Sequence, residues 1–311
     1  MALTFENPKQ YIAELIGTAI LIFIGCVAGT IGLGGGLITP FAFAIVFIGL
    51  VYCIGELCDC HFNPLISLSM LITGRMKGGD TLFYILAQIV GGIVGAILAF
   101  YILTQFYYTG NMIVYPSVFG QEYAWGRYLD WVGAFFMEML FAFVLCYVAL
   151  KATESKKIDM KAGIIIAVAM FGLIYIGSIL TCTAVNPAKS IGAAIAMMFS
   201  DIDGKFDPLI QLWMFIIAPA IGAVVASVVY LITSGSGFDL NAFIASKKKT
   251  EPVEESVEET ADEPLPEEAE SDEEPIADEP VEETEAVEET AEEAPAEDVV
   301  IEAEPEAEDK E

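Results

Sequence analysis

Two stretches of the sequence decide the fold: residues 61–68 read HFNPLISL, and residues 184–195 read AVNPAKSIGAAI. Each stretch contains an Asn followed by a Pro, at Asn63-Pro64 and at Asn186-Pro187. Asn is a favoured N-cap residue, and Pro suits the first helical position because its missing N–H would be unpaired there. Each pair therefore predicts the start of a helix, and the apolar run behind it is too short to cross a bilayer.

An internal repeat surrounds these stretches. Glu14 lies in an apolar run 49 residues before Asn63, and Glu138 lies in another apolar run 48 residues before Asn186. Two features at matched spacing indicate that one unit occurs twice in the chain. The copies cover about residues 1–110 and 125–240.

Six apolar runs are long enough to cross a bilayer as helices, since a hydrocarbon core of about 30 Å needs about 20 helical residues. They cover residues 11–33, 40–57, 81–104, 131–150, 162–180 and 208–233. Three runs fall in each copy, an odd number, so the second copy enters the membrane from the opposite side. The short runs behind the two Asn-Pro pairs cover residues 65–72 and 188–199. Short segments at matching positions of an inverted repeat are typical of a site at the membrane midplane.

The predicted fold class is an all-α membrane protein with six transmembrane helices, two re-entrant half-helices and an inverted repeat. The positive ends of the two half-helix dipoles would face each other and oppose the passage of cations. The Asn63 and Asn186 amides are expected to be free to donate hydrogen bonds into a pore between them.

Charge divides the chain into two parts. The 311 residues are 55% hydrophobic and yet carry a formal charge of -30. Residues 251–311 hold 30 Asp or Glu against one base, Lys310, so the remainder is nearly neutral and very apolar. We expect a channel domain over residues 1–240 and a disordered acidic tail over residues 241–311, with no partner that the sequence identifies for the tail.

The basic residues that flank the spans indicate orientation. One side of the membrane receives ten of them: Lys9, Arg75, Lys77, Lys151, Lys156, Lys157, Lys161 and Lys247 to Lys249. The other side receives Arg127, Lys189 and Lys205. The sequence therefore predicts a multi-pass protein of the cell membrane with both termini and the tail in the cytoplasm.

The six cysteines lie mostly in or beside the spans, so no secreted disulfide framework is indicated. Cys58, Cys60 and His61 form a short cluster, but it lacks the second ligand pair of a zinc site, and we expect no metal and no cofactor. His61 is the only histidine, and the sequence has no constellation of nucleophile, base and orienting group. We therefore expect no enzymatic activity, and no nucleic-acid partner.

The sequence resembles the major intrinsic protein (aquaporin) family. HFNPLISL and AVNPAKSIGAAI are similar to its two signature loops, and residues 84–96 (YILAQIVGGIVGA) and 215–223 (FIIAPAIGA) resemble its third and sixth spans. The resemblance covers about residues 11–234. It implies an hourglass bundle, a pore within each subunit and, as in most members, a homotetramer in the lipid bilayer.

The resemblance also implies roles for particular residues. The pore centre would consist of two matched triplets, Asn63, Pro64 and Leu65 in the first motif and Asn186, Pro187 and Ala188 in the second. Glu14 and Glu138 would lie buried and hold the two loop backbones in place, as expected of intramembrane carboxylates. His61 matches a position that lines the cytoplasmic vestibule.

The narrowest point of the family's pore, its aromatic/arginine constriction, corresponds to Phe43, Ile174, Thr183 and Lys189. Three departures from the family pattern stand out. Leu65 replaces the usual Ala, Lys189 replaces the usual Arg, and Ile174 replaces the His of strict water channels. Lys keeps the positive charge but lacks the planar fork of Arg, so solute geometry would be less tightly specified. Alternatively, Lys189 extends to the outer surface.

These features leave three functions open. The first is a passive channel for water and small neutral solutes such as glycerol, urea or ammonia, and Ser190 and Ala194 resemble the water-channel pattern. The second is a solute channel like the glycerol facilitators, with little selectivity for water, which the apolar Ile174 would suit. The third is an ion-coupled transporter, because inverted repeats with half-helices also occur in that class.

Overall fold

The computed structural model describes residues 7–32, 36–106, 117, 129–153, 158–182, 185–199 and 208–234. Within these ranges the regular secondary structure is entirely helical, and the predicted all-α class is confirmed. The predicted acidic tail, residues 241–311, lies outside the described residues.

The described helices repeat one order, two long helices, a short helix and a long helix. The first copy contains α1 (Pro8–Ile31), α2 (Ile38–Ile54), α3 (Pro64–Ile72) and α4 (Gly78–Phe106). The second copy contains α5 (Trp131–Ala152), α6 (Met160–Leu180), α7 (Pro187–Met197), α8 (Pro208–Leu212) and α9 (Met214–Thr233). The last long helix is divided at Trp213, so α8 and α9 together occupy the place that α4 holds in the first copy.

Among the described residues, five segments are long and apolar enough to span a membrane: α1, α4, α5, α6 and the combined segment Leu209–Thr233. The sixth predicted span differs in its bounds, because α2 ends at Ile54 and has 17 residues. A helix of that length extends about 26 Å, at the short end of what crosses a bilayer. Gly55 is the C-cap of α2, and the loop that carries Asn63 follows it.

The outer surface of the bundle is apolar. Side chains such as Ile12, Phe41, Val168 and Ile232 are more than half exposed. Several polar side chains, including Glu14 and Gln88, are completely buried. Apolar side chains outside and polar side chains inside suit a protein whose outer surface contacts lipid rather than water.

The two copies pack in the same way. α1 lies against α4 in the first copy, and α5 lies against α9 in the second. Both crossings depend on glycine, because a side chain at Gly95 would overlap the carbonyl oxygen of Ala19, and one at Gly222 would overlap that of Met139. Such close backbone contact is typical of helix packing in membranes. The copies join where α2 packs against α6 and where α3 and α7 reach the opposite repeat.

Candidate functional site

The two short helices begin at the Asn-Pro pairs. Asn63 is the N-cap of α3, and its Oδ1 accepts a hydrogen bond from the Leu65 N–H at 3.0 Å. Asn186 is the N-cap of α7, and its Oδ1 accepts one from the Ala188 N–H at 3.0 Å. Pro64 and Pro187 occupy the first helical positions, as the local chemistry predicts.

The N-termini of α3 and α7 meet. The Asn63 amide donates from Nδ2 to the carbonyl oxygen of Val185 at 2.9 Å. The Asn186 amide donates from Nδ2 to the carbonyl oxygen of Phe62 at 2.9 Å. Each asparagine therefore binds the residue that precedes the other, which gives the contact an approximate twofold symmetry.

This crossed pair of hydrogen bonds corrects one expectation. The sequence predicts both amides to be free donors, whereas one N–H of each is committed to the opposite loop. An amide NH₂ carries two donors, so each asparagine retains one N–H beyond this bond. Asn63 and Asn186 are 4% and 3% exposed, so these groups lie in an almost enclosed space.

The residues before the asparagines have left-handed backbone conformations. Phe62 has φ +46° and Val185 has φ +52°. This conformation costs a non-glycine residue about 1–2 kcal/mol. It turns both carbonyl groups toward the opposite asparagine, so the crossed hydrogen bonds offset part of that cost.

Glu14 fixes the first loop to the bundle. Its side chain is fully buried, and its Oε1 accepts from the His61 N–H at 2.7 Å. Its Oε2 accepts from the Phe62 N–H at 2.8 Å and from Gln88 Nε2 at 2.9 Å. A carboxylate that receives three donors forms strong, charge-assisted hydrogen bonds. The loop ahead of Asn63 is thereby attached to both α1 and α4.

Glu138 lies at the matching place in the second copy and is 1% exposed. Its Oε1 accepts from the hydroxyl of Thr181 at 2.7 Å. Thr181 is the C-cap of α6 and leads into the second loop, of which residues 183 and 184 lie outside the described part of the chain. The hydrogen bond to Thr181 therefore attaches α5 to the segment that enters this loop.

His61 lies inside the bundle. Its ring is fully buried, with Nδ1 3.0 Å from the hydroxyl of Ser67 and the ring centre 5.3 Å from that of Tyr84. Its Nε2 has no partner among the described residues. The His61 N–H donates to Glu14, which holds this part of the loop against α1.

Three of the four predicted constriction residues are described, and all three are buried. Phe43 and Ile174 belong to one apolar cluster, and the Phe43 ring fills the space that a side chain at Gly25 would occupy. Lys189 is 6% exposed and donates from Nζ to the carbonyl oxygen of Cys182 at 2.8 Å. Lys189 therefore does not extend to the surface. Thr183 lies outside the described residues.

Leu65, which replaces the usual Ala of the first motif, is buried. Its side chain is 2% exposed and belongs to the main apolar cluster of the bundle. The extra volume relative to Ala is therefore packed against other helices.

Sequence reasoning missed two supporting residues. Gln88 donates to Glu14 and also lies 2.9 Å from the hydroxyl of Ser67. Arg75, just beyond α3, donates to the carbonyl oxygens of Leu150 and Thr153 and to the Tyr230 hydroxyl. Gln88 could have been found from the sequence, because it is a lone amide within an apolar span and a buried polar group in a membrane requires a partner.

The sequence is similar to those of known proteins. The family model described as major intrinsic protein matches residues 1–230. Aquaporin Z from Rhodopseudomonas palustris is 30% identical over 234 residues, which cover 73% of this chain and 94% of that protein. Glycerol uptake facilitator protein-like 6 from Lactiplantibacillus plantarum is 31% identical over 223 residues, 70% of this chain and 95% of that protein.

The X-ray structure of the aquaglyceroporin from Plasmodium falciparum has the same fold. It superposes with a TM-score of 0.61 and 19% sequence identity, covering 73% of this chain and 97% of that one. At this level of identity the likeness concerns the fold alone.

Proposed function

The chain belongs to the major intrinsic protein family, whose members are passive channels rather than enzymes, and from this premise we propose that it conducts water through a pore that passes between Asn63 and Asn186. The observation that carries the proposal is the crossed hydrogen bonding of these two side chains, which brings two helix N-termini to one point. Each asparagine retains one amide N–H that a passing water oxygen can accept.

The same arrangement accounts for the exclusion of cations. Each helix N-terminus carries the equivalent of about half a positive charge. Two of them at one point repel hydronium and metal cations, while neutral molecules pass. A water molecule that accepts hydrogen bonds from both asparagines would direct its own hydrogens away from them, which interrupts proton transfer along a chain of waters.

We propose further that the pore conducts small uncharged solutes, namely glycerol, urea and ammonia. In this proposal Phe43 and Ile174 would form an apolar wall of the constriction, and Lys189, which donates to the Cys182 carbonyl oxygen, would supply its positive charge. An apolar wall facing a few donors suits molecules that expose both carbon and hydroxyl or amide groups.

A solute channel with little selectivity for water is the alternative. The buried Ile174 favours it, because an isoleucine does not hydrogen-bond a water file as a histidine does. One of the relatives is named a glycerol uptake facilitator protein-like 6 and another an aquaporin Z, so the names of the relatives support both possibilities.

We also propose a location, an oligomeric state and an orientation for the channel. We place the channel in the cell membrane as a homotetramer, with both termini in the cytoplasm and a separate pore in each subunit. The excess of basic residues on one side supports this orientation, and the apolar outer surface of the helices suits contact with lipid and with neighbouring subunits.

Flux measurements in proteoliposomes distinguish a water channel from a solute channel with little selectivity for water. Vesicles with and without the protein are shrunk with sucrose and then with glycerol or urea, and light scattering is followed in a stopped-flow instrument. We expect water flux above that of empty vesicles, with re-swelling in glycerol or urea if small solutes pass. Water flux at the level of empty vesicles together with rapid re-swelling in glycerol would favour the alternative. No flux of either kind would contradict a channel function.

A further inference from the structure

Two cysteines form a close pair in the loop that carries Asn63. The Sγ atoms of Cys58 and Cys60 are 3.7 Å apart, and both side chains are at most 1% exposed. Both are free thiols. The Cys58 thiol is 3.8 Å from the Ile54 carbonyl oxygen, and the Cys60 thiol is 3.8 Å from the Cys58 carbonyl oxygen.

This pair has no part in the proposed pore chemistry, and it does not resemble a metal site. No group of three or more metal-binding side chains occurs among the residues that the structure describes. Two thiols at this distance are instead suited to reaction with each other.

The geometry permits a disulfide bond. Its S–S length is about 2.05 Å and its Cα atoms lie about 4.4–6.8 Å apart. Residues two apart along a chain are separated by at most about 7 Å, which is close to the upper end of this range, so a local movement of the loop is sufficient to bridge Cys58 and Cys60. The sulfur atoms must approach each other by about 1.6 Å, the difference between their separation of 3.7 Å and the bond length.

From this geometry we infer that Cys58 and Cys60 are a redox-sensitive pair, which hydrogen peroxide converts reversibly to a disulfide that lowers flux through the channel. The first step breaks the O–O bond of peroxide: a thiolate sulfur gains one oxygen as a sulfenic acid, and hydroxide leaves and takes up the proton released by the thiol. The second thiol then displaces water and forms the S–S bond. The two sulfurs lose two electrons, and peroxide is reduced to two waters.

The enclosure of both sulfurs determines which reagents react. Peroxide is scarcely larger than water, whereas a maleimide is too bulky to reach a fully buried thiol in the folded protein. Cys53 offers a contrast, because it is exposed and lies only five residues before Cys58. Burial also makes oxidation slow, since the thiolate is the reactive form.

The position of the pair connects it to the pore. Only His61 and Phe62 separate Cys60 from Asn63, and the backbone N–H groups of both are bound to Glu14. A displacement of Cys60 therefore either breaks these hydrogen bonds or moves Phe62, whose carbonyl oxygen accepts from Asn186. In both cases the contact between the half-helices is disturbed.

The test uses the full-length protein in proteoliposomes, treated with hydrogen peroxide and then with dithiothreitol. We expect the peptide that contains both cysteines to lose the mass of two hydrogen atoms, and most of the protein-dependent water flux to be lost and then restored by the reductant. Cys58→Ser and Cys60→Ser should each retain basal flux and lose the response, whereas Cys53→Ser should respond as the wild type does.

Three results would overturn the inference. They are two separately alkylated thiols after peroxide treatment, a disulfide that leaves the flux unchanged, and a flux response that persists in Cys58→Ser. The flux readout depends on the proposed channel function, but the mass readout does not. Absence of flux in the reduced wild type would therefore contradict the channel, while the state of the two thiols would still be decided by mass.

Discussion

At the scale of single residues, buried polar side chains define the site. Glu14, Asn63 and Asn186 are nearly inaccessible, and each satisfies backbone groups that would otherwise lie unpaired inside the bundle. An unsatisfied buried donor costs about 1–3 kcal/mol, more than a satisfied hydrogen bond contributes. The loops before α3 and α7 therefore depend on these few side chains.

Replacing Glu14 with Gln should destabilise the protein. Two backbone N–H groups and the Gln88 amide converge on the carboxylate, and an amide would turn a donor toward at least one of them. We expect a loss of about 1–3 kcal/mol, as for an unsatisfied buried group, and a lower thermal unfolding midpoint in detergent. Glu56→Gln, at an exposed position in the same loop, is the matched control. Equal midpoints for the two variants would contradict the role given to Glu14.

Replacing Lys189 with Arg should narrow the range of solutes. A guanidinium fixes several hydrogen bonds in one plane, whereas an ammonium is a single compact charge. We expect slower glycerol or urea uptake relative to water, measured by stopped-flow light scattering. Lys161→Arg, at an exposed position, should leave the ratio unchanged. Broader permeation in the Lys189 variant would refute its assignment to the constriction.

At the scale of elements, close helix crossings hold the half-helices in position. α4 crosses α1 and also packs against α7. A displacement of α4 would therefore move both the Gln88 contact and the second half-helix. The glycines at these crossings allow backbone-to-backbone contact that larger residues prevent.

Gly95→Ala should be destabilising although alanine is the better helix former. Its methyl group would overlap the carbonyl oxygen of Ala19 in α1, and overpacking of this kind costs about 1–3 kcal/mol. Gly49→Ala in α2 is the control, because nothing lies within 4 Å of a methyl group there. We expect the thermal midpoint to fall in the first variant and to be equal or higher in the second. A higher thermal midpoint for Gly95→Ala than for the wild type would contradict the close contact between α1 and α4 at this glycine.

The sequence predicted where the half-helices begin better than it predicted which residues they contact. The starts of α3 and α7 follow from Asn capping and Pro placement, which involve only neighbouring residues. The crossed bonds from Asn63 to Val185 and from Asn186 to Phe62 join residues more than 120 positions apart. Nothing in the local sequence specifies such a contact. The position of His61 depends on a distant contact too, because its backbone N–H donates to Glu14, 47 positions away.

At the scale of the whole molecule, the inverted repeat explains why two half-helices meet. Two copies inserted from opposite sides bring their short helices toward the middle from opposite directions. The crossing of α1 with α4 in the first copy matches that of α5 with α9 in the second. The repeated spacing of glutamate and Asn-Pro pair predicted the inverted repeat, and the resemblance of the two Asn-Pro stretches to known signature loops predicted the family; the fold and the family are confirmed.

The most direct test measures osmotic water permeability for the wild type and for Asn186→Asp and Asn7→Asp. Asp caps a helix as well as Asn does, so Asn186→Asp keeps the start of α7 but removes both amide donors and places an acceptor against the Phe62 carbonyl. Asn7, the N-cap of α1, makes no side-chain capping hydrogen bond and provides the control.

We predict permeability well above that of empty vesicles for the wild type and for Asn7→Asp, and permeability near that of empty vesicles for Asn186→Asp. Unchanged permeability in Asn186→Asp would contradict a water path between the two half-helices.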